Sequence, residues 1–221
     1  MSVMPRVLEP ELMDLPAEVD AYDLADFGEV NRRFVLRVVE VASTARADAR
    51  AVDLGCGPGD ITARLAEACP RWTVLGVDAS MPMIERARRN ARSRELNNLT
   101  FEKADAKDMP GFGSFDVICT NSLLHHLPQP LPFWDTVRKL AAPGAVLLVR
   151  DLARPATPEA ARAIVQANAG TESELLQEEF YRSLLAAFTP DEVREQLRHA
   201  GLSHLHVEMS SDRHLDVWGT L

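Results

Sequence analysis

The stretch Val52-Asp53-Leu54-Gly55-Cys56-Gly57-Pro58-Gly59-Asp60 decides how the rest of the chain is read. An apolar run, Arg50–Leu54, leads into glycines at every second position, and helical spacing with Ile61, Leu65 and Ala68 on one face follows at once. The pattern is a strand, a sharp turn and a helix. Glycines in such a turn let the backbone bend tightly and approach a ligand closely. The helix start beyond them offers unpaired N–H groups and a positive dipole end. Dinucleotide-binding turns prefer G-x-G-x-x-G, whereas the spacing here is G-x-G-x-G. Asp53 also puts a carboxylate where a cationic amino group would sit, which suits an amino-acid-bearing ligand better than a diphosphate. On the turn alone, both ligand classes and a purely structural turn remain open.

Working outward, apolar runs at Arg50–Leu54, Thr73–Val77, Leu99–Lys103, Phe115–Thr120 and Ala145–Val149 read as strands. They alternate with helical patterns at Ile61–Cys69, Met81–Glu95 and Leu131–Ala141, so the middle of the chain is a repeated βαβ unit: a parallel sheet with helices on both faces. After the fifth strand, Thr157-Pro158-Glu159 opens an inserted helical segment carrying Ile164, Val165, Leu175, Leu176, Phe180, Leu184 and Leu185. Thr189-Pro190-Asp191-Glu192 opens another helix, with Thr189 as N-cap, Glu192 placed for a capping box and Gly201 closing it. Strands around Ser203–Glu208 and Leu215–Gly219, joined by Ser210-Ser211-Asp212-Arg213, form a terminal hairpin. One domain is expected over residues 1–221: an N-terminal helical cap at 1–45 (clearest at Val30–Val41), a core at 46–152, an insert or lid at 153–188, and the last helix and hairpin at 189–221.

Two more strand ends carry acids. Asp78, in Gly76-Val77-Asp78-Ala79-Ser80, is positioned to accept from both hydroxyls of a ribose, and Asp105-Ala106 offers a carboxylate beside a small residue to an adenine amino group. Open α/β sheets bind ligands at these carboxyl ends.

Composition removes several classes. The net charge of −9 argues against a duplex-binding surface. The one basic cluster, Arg86, Arg88, Arg89, Arg92 and Arg94, reads as a solvated helix face. No apolar run approaches the roughly 20 residues that span a bilayer. Acids and prolines occupy residues 1–15 where a signal peptide needs an apolar run, so export is not expected. Cys56, Cys69 and Cys119 show no C-x-x-C spacing, which predicts neither disulfides nor a zinc site and fits a reducing cytoplasm.

From about Ala51 to Val149 these residues resemble the class I S-adenosylmethionine-dependent methyltransferases, with a distant likeness to the small-molecule branch that includes quinone C-methyltransferases. Phe115-Asp116-Val117-Ile118 leading into Asn121-Ser122-Leu123-Leu124-His125-His126-Leu127, and Leu140-Ala141-Ala142-Pro143-Gly144 before the fifth strand, extend the likeness. The resemblance implies a Rossmann-like doubly wound α/β sheet of seven strands, order 3-2-1-4-5-7-6, with strand 7 antiparallel. It also implies S-adenosylmethionine as cofactor and S-adenosylhomocysteine as product. Gly55, Gly57 and Gly59 would line the methionine moiety and Asp53 its amino group. Asp78 would hold the ribose, Asp105 and Ala106 would flank the adenine, and Cys56, Ala79, Met83, Asn121 and Ser122 would complete the cofactor site.

Methyl transfer from a sulfonium is an in-line displacement that needs alignment and dryness but no metal. His125 or His126, just past the fourth strand, is the expected base for an acceptor that must lose a proton. Arg150 and Asp151, at the end of the fifth strand, either face the acceptor or pair internally. Tyr22 and Phe27, with Phe180 and Tyr181, are candidates for an aromatic lid over the methyl donor or for ordinary core, and Tyr22 and Tyr181 are also candidate substrate contacts. The expected partner is a small-molecule acceptor, with no nucleic acid or membrane, in a monomer or homodimer. Rival readings are a non-catalytic S-adenosylmethionine-binding sensor or scaffold, another use of the sulfonium, and a nicotinamide oxidoreductase, the last disfavoured by the glycine spacing.

Overall fold

The computed structural model describes residues 4–12, 14, 19, 20, 23 and 27–221. Its elements run α1 (Gly28–Val41), β1 (Arg50–Leu54), α2 (Asp60–Ala68), β2 (Thr73–Asp78), α3 (Met81–Arg92), β3 (Leu99–Lys103), β4 (Phe115–Asn121), α4 (Leu131–Leu140), β5 (Ala141–Leu152), α5 (Pro158–Ala169), α6 (Glu174–Ala186), α7 (Pro190–His199), β6 (His206–Met209) and β7 (His214–Thr220). The strands form one seven-stranded sheet in the order β3-β2-β1-β4-β5-β7-β6. Strands β1 to β5 pair in parallel, and β7 runs antiparallel to both β5 and β6. The chain reverses its direction of winding between β1 and β4, and the glycine turn opens at that point.

Each sheet face has its own apolar layer, because successive side chains of a strand point to opposite sides. Val52, Leu54, Ile118, Leu147 and Val149 meet Phe133, Trp134 and Val137 of α4 and Val193 and Leu197 of α7. Ala51, Val74, Val117, Cys119, Val146 and Leu148 meet Phe34, Val35 and Val38 of α1 and Leu65 and Ala66 of α2. Burying each large side chain stabilises the fold by about 1.5–3 kcal/mol. The one indole N–H in the first layer is satisfied, since Trp134 Nε1 donates to Gln196 Oε1 at 3.0 Å and so ties α4 to α7.

The insert consists of two helices, α5 and α6, that share a small core of Leu152, Ala161, Val165, Leu184 and Ala187. The chain returns to the sheet through a bridge between Ala153 and Phe188. At α7 the capping box is complete: Thr189 Oγ1 accepts from the Glu192 N–H at 3.2 Å, and Glu192 Oε2 accepts from the Thr189 N–H at 2.8 Å.

Three elements, β5, β6 and α3, end or begin three residues or more from where the sequence places them. Strand β5 spans Ala141–Leu152 rather than Ala145–Val149, because β7 pairs with it as far as Leu152↔His214 and Ala141 pairs with Phe115 around an irregularity. Exposed Pro143 and Gly144 lie inside the strand, where apolar spacing carries no signal. Strand β6 is shorter, His206–Met209, since Leu202 and Leu205 turn inward to the core before it begins. Helix α3 stops at Arg92, and Glu95 takes a left-handed φ of 51°.

Candidate active site

The glycine turn has the backbone its spacing implies, with φ of +70°, +51° and +86° at Gly55, Gly57 and Gly59. Gly59 has a second reason to be glycine: a Cβ there would lie 2.8 Å from both Ala87 and the Phe101 ring, so α3 and β3 pack directly on the turn. No side chain caps the start of α2, which leaves its first N–H groups facing the turn's mouth. Cys56 is buried beside Ile84, Ala87 and Phe101, and its N–H donates to the Val77 carbonyl, locking the turn to β2.

Asp53 is 1% exposed and accepts from Thr62 Oγ1 at 2.7 Å. Burial pushes its carboxyl up to about 7, the Thr62 hydroxyl opposes the shift, and the charge of Asp78 adds to it. Asp78 serves the protein as well as any ligand: Oδ2 accepts from the Gly57 N–H at 2.9 Å and Oδ1 from the Ser80 N–H at 2.8 Å. Each of these oxygens retains a second lone pair. Ala79 is half-buried beside it, and Met83 is buried in the first turn of α3, its N–H donating to the N-cap Ser80. Asp105 is exposed, folds over the Lys107 N–H at 2.9 Å and pairs with the Lys107 ammonium, while Ala106 is buried. At the end of β4, Asn121 Nδ2 donates to Ser122 Oγ at 3.2 Å. Ser122 holds a left-handed φ of 58°, a strained conformation of the kind that clusters at binding sites.

These side chains fit S-adenosylmethionine on observations of this chain itself. A buried carboxyl raised to about 7 is relieved by an ammonium partner. The left-handed glycine cradle and the uncapped helix start face the same mouth, and Asp78 has acceptor capacity left at the end of the next strand.

On the acceptor side, Arg150 takes the internal alternative: it makes a bidentate pair with Asp216, at 2.7 and 2.6 Å, across the β5–β7 register and lies over the Phe34 ring. The antiparallel neighbour that forces this pairing comes 66 residues later in the chain. Asp151 is buried too, and its role is to hold the turn after β4. It accepts from the N–H groups of Leu124 and His125, and its Oδ1 lies 2.5 Å from His125 Nδ1. Tyr181 packs with Phe180 on the α5–α6 core and carries Arg162 over its ring at 4.3 Å. Tyr22 lies outside the described residues.

Both histidines contact Glu9. His125 is 3% exposed, with Nδ1 on Asp151 and Nε2 3.3 Å from Glu9 Oε1. His126 Nδ1 lies 3.2 Å from the same Glu9 oxygen and 3.3 Å from the Pro10 carbonyl. Burial works against charge on His125, but Asp151 and Glu9 outweigh it and raise its pKa; burial and the charge on His125 push His126 down to about 3.

Glu9 was not legible in the sequence. It belongs to a segment that crosses the carboxyl edge of the sheet. Arg6 donates to the carbonyls of Ala186, His125 and Leu127 and stacks on Phe188. Glu11 pairs with Lys107, Asp14 adds its charge to the neighbourhood of Asp78, and Asp20 and Asp23 pair with Arg86. Arg86 therefore is not a bare solvated arginine; Arg88, on the Phe101 carbonyl, and Arg94, on Asp60 and Glu67, are also engaged.

The fold and the turn define a class: the seven-stranded order with β7 reversed, and an acid-glycine turn at the switch point, are the frame of a class I methyltransferase. A family model described as "Methyltransferase domain" matches residues 45–201, and the chain belongs to that S-adenosylmethionine-dependent family. Among curated relatives, it is 39% identical over 109 residues to trans-aconitate 2-methyltransferase of Deinococcus radiodurans, covering 48% of this chain and 38% of that protein. It is 32% identical over 163 residues to 27-O-demethylrifamycin SV methyltransferase of Amycolatopsis mediterranei, covering 71% of this chain and 55% of that one. The matched region thus spans about half or less of either relative's length. A solved methyltransferase from Aquifex aeolicus shares the fold at a TM-score of 0.68 and 18% identity, over 93% of this chain and 98% of that one. The plantazolicin methyltransferase BamL, solved in complex with a triazolic desmethylPZN analog and S-adenosylhomocysteine, shares it at 0.73 and 14%, over 93% and 91%.

Proposed function

We propose that this chain transfers the methyl group of S-adenosylmethionine to a small-molecule acceptor, leaving S-adenosylhomocysteine, and that the acceptor is an acid methylated on a carboxylate oxygen. The observation that carries the reading is the juxtaposition, at one sheet edge, of the left-handed glycine turn, Asp53 and Asp78 with a β4 end on which both histidines are already engaged. When bound, the cofactor supplies an electrophilic methyl on a cationic sulfur. Asp53 holds the amino group, Asp78 the ribose, Asp105 and Ala106 flank the adenine, and Cys56, Ala79, Met83, Asn121 and Ser122 close the pocket around it. The chain's part in the chemistry is alignment and exclusion of water. A carboxylate is already ionised at neutral pH and needs no base, which suits a site whose imidazoles are committed elsewhere. The trans-aconitate-named relatives support the same acceptor class.

The test is formation of S-adenosylhomocysteine from the cofactor with panels of small carboxylic acids, phenols and amines. Turnover confined to the acids is expected. Turnover with phenols or amines alone would overturn the acceptor class. Tight cofactor binding with no turnover in any panel would favour a sensor or scaffold.

A further inference from the structure

We propose that Glu9 Oε1, His125 Nε2 and His126 Nδ1 form a binding site for a first-row divalent cation, with zinc the ion their donor set and spacing match. The three atoms lie within 4.8 Å of one another. The carboxylate oxygen is 3.3 Å from the first imidazole nitrogen and 3.2 Å from the second. A tetrahedral zinc site with bonds of about 2.0–2.1 Å has ligand-to-ligand edges of about 3.3–3.4 Å, so these spacings are already those of two edges. Three protein ligands leave the fourth position open, the arrangement of catalytic rather than closed structural sites.

The surroundings orient each ligand. A carboxylate only accepts, so His125 Nδ1 carries a proton toward Asp151, while Nε2, which faces Glu9, gives up its proton when it ligates; what is left is the carboxylate–histidine–metal pattern of supporting hydrogen bonds. Ser183 Oγ donates to Glu9 Oε2 at 3.2 Å and fixes the carboxylate plane. His126 Nδ1 faces two acceptors, Glu9 Oε1 and the Pro10 carbonyl, so its proton moves to Nε2 when Nδ1 ligates. The side chains of His125, Glu9 and His126 are 3%, 6% and 17% exposed, so little water competes. A bound ion would clasp the segment around Glu9 to the turn after β4, more than a hundred residues away in sequence.

The experiment uses the full chain, stripped with a chelator and titrated with Zn2+ by calorimetry and with Co2+ by visible absorption. One ion per chain is expected, with the intense visible bands of low-coordinate cobalt. Glu9→Gln and His126→Ala should each weaken binding at least about 10-fold, and Asp151→Asn, acting through His125, by about 10–100-fold. His199→Ala, at an exposed histidine beside Glu195, serves as the control and should bind as the parent does. Glu9 and His126 are not in the main core, and circular dichroism will verify their folded state. No binding by the parent chain, or a single ion bound equally well by both variants, would overturn the proposal and leave an ion-pair cluster in its place.

Discussion

Asp53 shows how one residue's environment sets its behaviour. Its carboxyl keeps a proton up to about pH 7 in the fold, while an unfolded chain releases it near its ordinary value of 3.8. The unfolded state therefore binds fewer protons across that window, and this residue's contribution to stability falls as pH rises through it and levels off above it. A ligand ammonium beside the carboxylate reverses the preference. Stabilisation by S-adenosylhomocysteine, read as a melting shift, should be larger at pH 8 than at pH 5.5; equal shifts would place the ammonium elsewhere. Asp78→Ala removes the acceptor for the Gly57 and Ser80 N–H groups as well as a ribose contact. Calorimetry should show S-adenosylhomocysteine binding weakened by about 1–3 kcal/mol. Arg150 belongs to stability instead. Arg150→Ala leaves Asp216, 1% exposed, without its cationic partner and with the Ser210 hydroxyl as a remaining donor, and should destabilise the fold by about 3–5 kcal/mol in denaturant melts, while the folded fraction keeps its cofactor affinity.

Among the elements, α7 illustrates local coding at its clearest. Thr189, Pro190 and Glu192 specify its start by chemistry confined to four residues, and its buried face of Val193 and Leu197 docks where Gln196 meets Trp134. Thr189→Ala should lower stability by about 1 kcal/mol, measured by chemical denaturation, with the slope of the transition unchanged. Helix α2 is the opposite case: its start is left uncapped by any side chain and begins from a left-handed Gly59. One helix is finished by its own sequence, and the other is left open toward the site.

On the scale of the whole molecule, the segment carrying Arg6, Glu9 and Glu11 couples parts of the chain that no local rule connects. It pairs with α6 through the Val7 N–H on the Leu185 carbonyl, with the turn after β4 through Arg6 and Glu9, and with the loop after β3 through Lys107. Arg6→Ala leaves the buried carbonyls of Ala186, His125 and Leu127 without that donor. Hydrogen exchange at Val7 should accelerate, reporting release of the segment, while amides of β1 and β4 keep their protection. Unchanged exchange at Val7 would show that Glu9 and Glu11 hold the segment by themselves. No helix among the described residues is long and apolar enough to cross a membrane.

The βαβ order, the glycine turn, the acids at three strand ends and the α7 cap were readable because each is written in neighbouring residues: apolar period, turn chemistry and capping act over a few positions. The sheet order and the reversed seventh strand came from resemblance to a family, not from any such local rule. What only the tertiary structure decided are the pairings. Arg150 meets Asp216 because β7 returns beside β5, Asp151 reaches His125 because β5 lies beside the end of β4, and Glu9 reaches both histidines because its segment crosses the sheet edge. Those contacts join residues 26 to 117 positions apart, where sequence period carries no information and packing alone chooses the partner.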